Sequence, residues 1–296
     1  MPENVELLLD FITRHPRLVL LTGAGASANS GIPTYRDAAG KWLRAKPIQH
    51  QEFIADPNQR RRYWGRSLVG WPGVRDARPN EVHLALTRLE HMGRIDLVIT
   101  QNVDRLHQRA GTKDVVDLHG RLDRVICLDC GGGFSREDIQ QELTRRNPQH
   151  VGFAASARPD GDADLSDQQV ASVSIVDCSA CGGLLMPDVV FFGGSVPRSR
   201  VEQCESAIRD ADALMVVGSS LQVYSGFRFC KQAHQLAKPI AIINEGVTRA
   251  DELATLLIQR NAMAALVEAI DILAAQPNAV SRQPTADLIS LKTERP

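Results

Sequence analysis

Four cysteines carry the plainest chemistry in this chain. Cys127-x-x-Cys130 and Cys178-x-x-Cys181 each set two thiols on a tight turn followed by glycines. Two such pairs supply the four thiolates of a tetrahedral Zn²⁺ site. A closed shell of four sulfurs leaves no position for water, so an ion held there is structural, not catalytic. The 47 residues between the pairs exceed the spacing of a simple zinc ribbon, so the intervening chain must be looped out. Two disulfides are the competing reading, and an intracellular chain favours metal. Cys204 and Cys230 fall in helical patterns and read as core residues.

A second constellation is glycine-rich. Residues 18–33 read LVLLTGAGASANSGIP. Gly23-Ala24-Gly25-Ala26-Ser27-Ala28 fits the G-x-G-x-x-G/A turn between a buried strand and a helix. There the first glycine permits the tight turn and the second lets backbone approach a pyrophosphate. The N-terminus of the following helix would offer free N–H groups to the anion. The acidic residue that a dehydrogenase places about 20 positions later, on the ribose, is missing from its slot. Gly218-Ser219-Ser220 and Asn244-Glu245-Gly246 follow two other apolar runs in the same way, and ligand in such a sheet sits beyond strand carboxyl ends. A third group leaves the middle of the chain: Gln101, Asn102 and Asp104 follow DLVIT, and His119 follows VVDL. A histidine there is either a general base, with its ordinary pKa near neutrality, or a strand-end residue satisfied by backbone.

These residues need a sheet to position them. Apolar runs at 17–22, 96–100, 115–118, 213–218 and 239–244 read as strands, and 186–192 as extended. Helical patterns fall at 5–14, from 28, 48–70, 82–92, 200–209, 227–236 and 251–275. Alternation of strands and helices implies an α/β fold, a Rossmann-like, parallel, doubly wound sheet. Residues 1–40, 72–122 and 184–275 would form this large domain. A helical insert at 41–71 and a zinc-binding module at 123–183 would make a smaller lobe, with 276–296 as a flexible tail. Residues 151–174, polar, small and acidic, read as a mobile loop.

Bulk composition removes other classes. At 296 residues with 43% hydrophobic content, the chain can bury a large core. A net charge of -1 without a basic block argues against nucleic acid as a partner. No apolar run approaches the ~20 residues of a membrane span. The N-terminus lacks a signal-peptide pattern, so the protein reads as soluble and cytoplasmic.

Taken together and in order, GAGASANSGIPTYR, TQNVDRLHQRAG, LHG, the Cys-x-x-Cys pairs, PDVVFFG, GSSLQV and INEG resemble the sirtuin family of NAD-dependent protein-lysine deacylases. The likeness runs over about residues 5–275. QRRRYWGR at 59–66, VGWP at 69–72 and GSSLQVYSGFRF further resemble its class II branch. The resemblance implies that NAD is cleaved at its nicotinamide–ribose bond by the acyl oxygen of an acyl-lysine. An imidate then reacts with the 2′-hydroxyl, giving free lysine and 2′-O-acyl-ADP-ribose. It implies His119 as base on the ribose hydroxyls, with Ala24, Ala26 and Arg36 on the pyrophosphate and nicotinamide side. Gln101 would face the nicotinamide ribose, and Asn102 and Asp104 the nicotinamide pocket. Ser219, Ser220, Asn244 and Glu245 would border the adenosine half. Val190, Phe191 and Gly193 would line an acyl-lysine tunnel, with the substrate peptide added as a strand.

Several positions depart from the family pattern. Tyr35 stands where many sirtuins have Phe, Gly194 where many have Glu, and Gly218-Ser219-Ser220 where Gly-Thr-Ser is commoner. Tyr224-Ser225 replaces a Pro-containing turn. Tyr63 and Arg66, at i and i+3 of a helix, share a face. They resemble the pair with which desuccinylating sirtuins bind a carboxylate, so an acyl chain ending in a carboxylate or a polar branch is one expectation. A salt-bridged Arg66 beside packing aromatics is the other. Protein mono-ADP-ribosyl transfer and non-enzymatic NAD sensing are the alternative functions.

Overall fold

The computed structural model describes residues 1–35, 37, 41, 43, 47–150 and 161–276. α1 (Glu3–Arg14) leads into β1 (Leu18–Thr22), five residues all buried. A seven-residue 3₁₀ helix, Ala24–Ser30, follows in place of the expected α-helix. Its sequence, AGASANS, is rich in residues that bond their own backbone rather than extend a helix, and Gly31 ends it at φ 83°. α2 (His50–Ala55) and α3 (Pro57–Asp76) are split at Asp56, whose carboxylate caps α3 by accepting from the Asn58 N–H. α4 (Glu81–His91) begins on an Asn80 cap. β2 (Ile95–Thr100), α5 (Leu106–Ala110) and β3 (Val115–Asp117) complete the first half.

The chain then builds a second sheet. β4 (Gly120–Cys127) pairs antiparallel with β5 (Gly133–Ser135) and β6 (Leu185–Val189). α6 (Arg136–Arg146) and α7 (Asp167–Ala171) lie between β5 and β6. The segment expected as a mobile loop is only partly described. Its residues 151–160 fall outside the described residues, whereas Ala163, Val170 and Val173 are buried and α7 packs on α3. Apolar residues spaced among the acidic ones anchor the segment. α8 (Arg198–Asp210), β7 (Ala213–Val217), α9 (Tyr224–Gln235) and β8 (Ile240–Ile243) return to the large sheet. The stretch read as one helix from 251 to 275 is instead a 3₁₀ turn, then β9 (Leu256–Ile258), then α10 (Ala262–Ala274). β9 is three residues long, too short for its alternation to stand out from the helical pattern beside it.

The large sheet runs β3-β2-β1-β7-β8-β9, every pair parallel. Parallel strands buried on both faces explain the near-continuous apolar runs. One face packs α1, α4 and α10 through Leu8, Leu86, Leu266 and Ile270. The other packs α8 and α9 through Cys204, Ile208, Phe229 and Cys230, so these two cysteines are core residues as expected. From β1 the chain winds outward to β3, then returns to β7 on the opposite side. The direction of winding reverses between β1 and β7, and a crevice opens at such a point beyond the strand ends.

Candidate active site and metal centre

The ends of β1 and β7 meet closely. The Gly25 N–H donates to the Gly218 carbonyl at 2.8 Å. A Cβ on Gly25 would lie 2.8 Å from the Gly218 Cα, and Gly218 itself sits at φ 64°. Both glycines are thus required by the approach of one turn to the other. A cleft of about 880 Å³ opens over this junction. Gly23, Ala24 and Gly25 line it, with Gly218, Ser219 and Ser220 from β7 and Asn244 and Glu245 from β8. Ala26 does not line it, because its side chain is buried in the core. Arg36 lies outside the described residues.

The turn after β2 supplies the polar floor. Asn102 donates through Nδ2 to the Gly23 carbonyl and to Ser27 Oγ, both at 3.0 Å. Ser27 Oγ donates to the Asp104 carboxylate at 2.7 Å, and the Leu106 N–H reaches its other oxygen at 2.9 Å. Burial pushes the Asp104 carboxyl above the ordinary carboxylate range, while these two bonds hold it down. Gln101 Nε2 donates to Ser219 Oγ at 2.8 Å, tying the β2 and β7 ends together. Ser27, which nothing in its spacing marks as functional, orients both Asn102 and Asp104. Behind it His83 and His107 are fully buried with ring centroids 4.9 Å apart, and His107 Nε2 lies 2.9 Å from Thr22 Oγ1.

His119 occupies the single residue step between Leu118, beyond β3, and Gly120, the first residue of β4. Gly120 has φ 86°, and a Cβ there would lie 2.1 Å from the Asp188 carbonyl oxygen. Only glycine permits this turn, which fixes the preceding histidine at the cleft. His119 Nδ1 lies 3.0 Å from the Gln101 carbonyl oxygen. A carbonyl only accepts, so Nδ1 carries the proton and Nε2 keeps its lone pair. Burial pushes the imidazole down to about 4; the bond to Gln101 opposes this and Arg200 reinforces it. The group is therefore a neutral base at pH 7.

The cleft's other wall is β6 and the segment after it. Val190, Phe191 and Gly193 line it, as does Tyr63 from α3. Tyr63 and Phe191 ring centroids are 5.3 Å apart, and Phe53 lies 4.9 Å from Phe191. Arg66, read beside Tyr63 either as a carboxylate clamp or as a salt-bridged residue, is not among the lining residues. Its side chain is 7% exposed and its guanidinium lies 2.6 Å from the Asp162 carboxylate. Nε donates to the Ala163 carbonyl at 2.9 Å. The cleft there presents Tyr63 and Asp162. Burial of α3's inner face demands a counter-charge for Arg66, and the 161–163 segment provides it.

The four cysteines converge as their spacing predicts. Their Sγ atoms all lie within 4.8 Å of one another. Cys127 and Cys181 sulfurs are 3.6 Å apart, and Cys130 and Cys178 sulfurs 3.8 Å. Zn–S bonds of about 2.3 Å in a tetrahedron separate sulfurs by about 3.8 Å. The cluster therefore fits zinc, and its distances are far beyond a disulfide bond. Cys127 and Cys178 are also buried against Val125, Leu143, Leu185 and Trp64, so an ion there would brace β4 and β6 against α3 and α6. None of the four lines the cleft.

A family model described as the Sir2 family matches residues 23–225, more than half of the chain. The NAD-dependent protein deacetylase 2 of Bradyrhizobium diazoefficiens is 52% identical over 259 residues, spanning 88% of this chain and 95% of that protein. The NAD-dependent protein deacetylase of Bordetella bronchiseptica is 48% identical over 267 residues, spanning 90% and 97%. Among solved structures, a Sir2 protein with a p53 peptide and NAD⁺ aligns with a TM-score of 0.74 and 28% identity, over 92% of this chain and 99% of that one. A Sir2 protein bound to acetylated peptide aligns at 0.73 with 27% identity, over 92% and 99%. Sequence and fold agree from end to end of these relatives, and the chain belongs to the Sir2 family.

Proposed function

We propose that this protein removes acetyl groups from lysine side chains of other proteins, consuming NAD. The observation that carries the reading is His119, a neutral imidazole with its Nδ1 proton held by a carbonyl, lining a cleft at the sheet's switch point. NAD, when bound, supplies an electrophilic ribose carbon with nicotinamide as its leaving group. The remaining chemistry belongs to the chain. Gly23, Ala24 and Gly25 offer backbone to the pyrophosphate, and Ser219, Ser220, Asn244 and Glu245 border the adenosine. Asn102 and Asp104, locked by Ser27, hold the nicotinamide amide. Gln101 faces the ribose, and His119 takes a proton from a ribose hydroxyl.

The acyl-lysine enters from the other wall. Val190, Phe191 and Gly193 flank it, and the aromatic group of Phe53, Tyr63 and Phe191 keeps water from the reacting centre. The peptide main chain adds as a strand beside the residues after β6. Tyr63 and Asp162, whose carboxylate is held by Arg66, both line the cleft, and we assign them to the far end of the acyl pocket. A small uncharged acyl group suits that end. A carboxylate-ended chain, suggested by Tyr63 and Arg66 in the sequence, would face Asp162. We place the reaction in the cytoplasm, in keeping with the absence, among the described residues, of a helix long and apolar enough to cross a membrane.

The test is product mass on acetyl-, succinyl- and glutaryl-lysine peptides with NAD. Loss of acetyl with formation of acetyl-ADP-ribose supports the reading. A peptide that instead gains ADP-ribose would make the protein an ADP-ribosyl transferase. NAD binding with no nicotinamide released would make it a sensor.

A further inference from the structure

Nε2 of His119, the nitrogen that does the base's work, has a partner of its own. Ser225 Oγ lies 2.7 Å from it. Because Nδ1 is committed to the Gln101 carbonyl, Nε2 can only accept, and the Ser225 hydroxyl donates. The pattern is that of a hydroxyl and an imidazole whose tautomer is fixed from behind.

Backbone packing fixes both partners. Ser225 is the second residue of α9, and Gly226 follows it. A Cβ on Gly226 would lie 2.4 Å from Gln101 Oε1, so the missing side chain lets α9 start directly against the β2 turn. Gln101 is held in turn by Ser219 Oγ and the Thr22 carbonyl. His119 is pinned by Gly120 against Asp188. The hydroxyl and the imidazole, 106 positions apart in sequence, are thus brought together by rigid neighbours on each side. Ser225 also stands where the sequence departs from the Pro-containing turn common in the family.

We propose that Ser225 is a positioning residue for the base. With the Nδ1–H tautomer already set by the Gln101 carbonyl, its hydroxyl holds the ring with the Nε2 lone pair directed at the cleft, and surrenders that lone pair to a substrate hydroxyl. The inference rests on His119 being the base. No covalent step is involved, since the serine proton stays on Oγ throughout.

Removing the hydroxyl takes away a donor that favours neutral imidazole, so protonation becomes easier. Other charges around the ring stay in place. Arg200 on α8 acts on the ring, with Asp188 of β6 near it, and Arg228 of α9 and Asp104 of the β2 turn line the same cleft. The experiment follows the His119 imidazole by ¹⁵N NMR titration in the zinc-loaded full chain, for wild type, Ser225→Ala and Ser225→Thr. In parallel, kcat/KM for NAD is measured on an acetyl-lysine peptide. Ser225→Ala should raise the titration midpoint by roughly half to one pH unit, the scale of one neutral hydrogen bond. It should also lower kcat/KM several-fold at neutral pH. Ser225→Thr, which keeps the hydroxyl, should restore both. A midpoint unchanged in Ser225→Ala, or threonine behaving as alanine does, would overturn the proposal. Wild type without deacetylase activity would overturn the functional reading instead, and the titration would still decide the Ser225–His119 contact.

Discussion

Replacing Asp162 with asparagine should change which acyl groups are accepted. Arg66 is buried in α3, and Asp162, with a side chain 26% exposed, neutralises it from the cleft side. An acyl chain ending in a carboxylate would bring a second negative charge beside the first. Two like charges about 5 Å apart at an effective dielectric of about 20 repel by about 3 kcal/mol. That is roughly two orders of magnitude in rate when the repulsion persists in the transition state. Asp162→Asn removes this charge and turns the nearest carboxylate of Arg66 into an amide. The ratio of kcat/KM for succinyl over acetyl peptide should then rise by roughly 10- to 100-fold. Stability should fall, but by less than the roughly 3–5 kcal/mol of a fully buried broken pair, because Asp162 is partly solvated. The assay is the acyl-peptide panel on both proteins, with urea unfolding as the control. An unchanged ratio would refute the electrostatic argument. A wild type that already prefers succinyl, and loses that preference in Arg66→Met, would restore the carboxylate clamp read from the sequence.

Two further outcomes follow from buried groups. Zinc assays should find one ion per chain. Its removal by a chelator, or Cys178→Ser, should loosen β4 and β6, expose Trp64 to a red-shifted emission and abolish activity, although no cysteine ligand lines the cleft; emission unchanged after zinc loss would contradict a bracing role. Acid should destabilise the fold through His83 and His107, which burial pushes down to about 4 and about 3. Their folded pKa values lie below the unfolded value near 6.5, so the unfolded chain binds more protons, and stability falls as pH drops from about 6.5 toward about 4. Each should cost about 2 kcal/mol at pH 5, and His83→Gln should shallow the slope. A urea midpoint flat from pH 7 to 5 would contradict this.

Much of the site was legible because its signals are local. Cys-x-x-Cys pairs announce themselves, and buried parallel strands leave continuous apolar runs whose next residues reach the ligand crevice. Gly23, Gln101, His119, Gly218 and Asn244, read this way, all line the cleft. What escaped depends on contacts distant in sequence. Sequence leaves Arg66 open between a carboxylate clamp and a salt-bridged residue, because its partner Asp162 is brought back by a distant looped segment. Ser225 reads as an altered turn until Gly226 docks α9 on Gln101. The 3₁₀ turn after Gly23 and the three residues of β9 were missed because short elements leave no periodicity to read. Ala26, which the motif sets beside the pyrophosphate, buries its side chain in the core beneath the cleft.

The proposed reaction turns on His119 as the base of an NAD-consuming deacetylase. It is tested most directly by measuring nicotinamide release on acetyl-lysine peptide for wild type and His119→Ala, with NAD affinity determined on both. Wild type should lose one acetyl group per nicotinamide released. The variant should be slower by roughly 10²–10⁴-fold, with NAD affinity nearly unchanged. Turnover preserved in His119→Ala, or nicotinamide released while the peptide keeps its acetyl group, would contradict it.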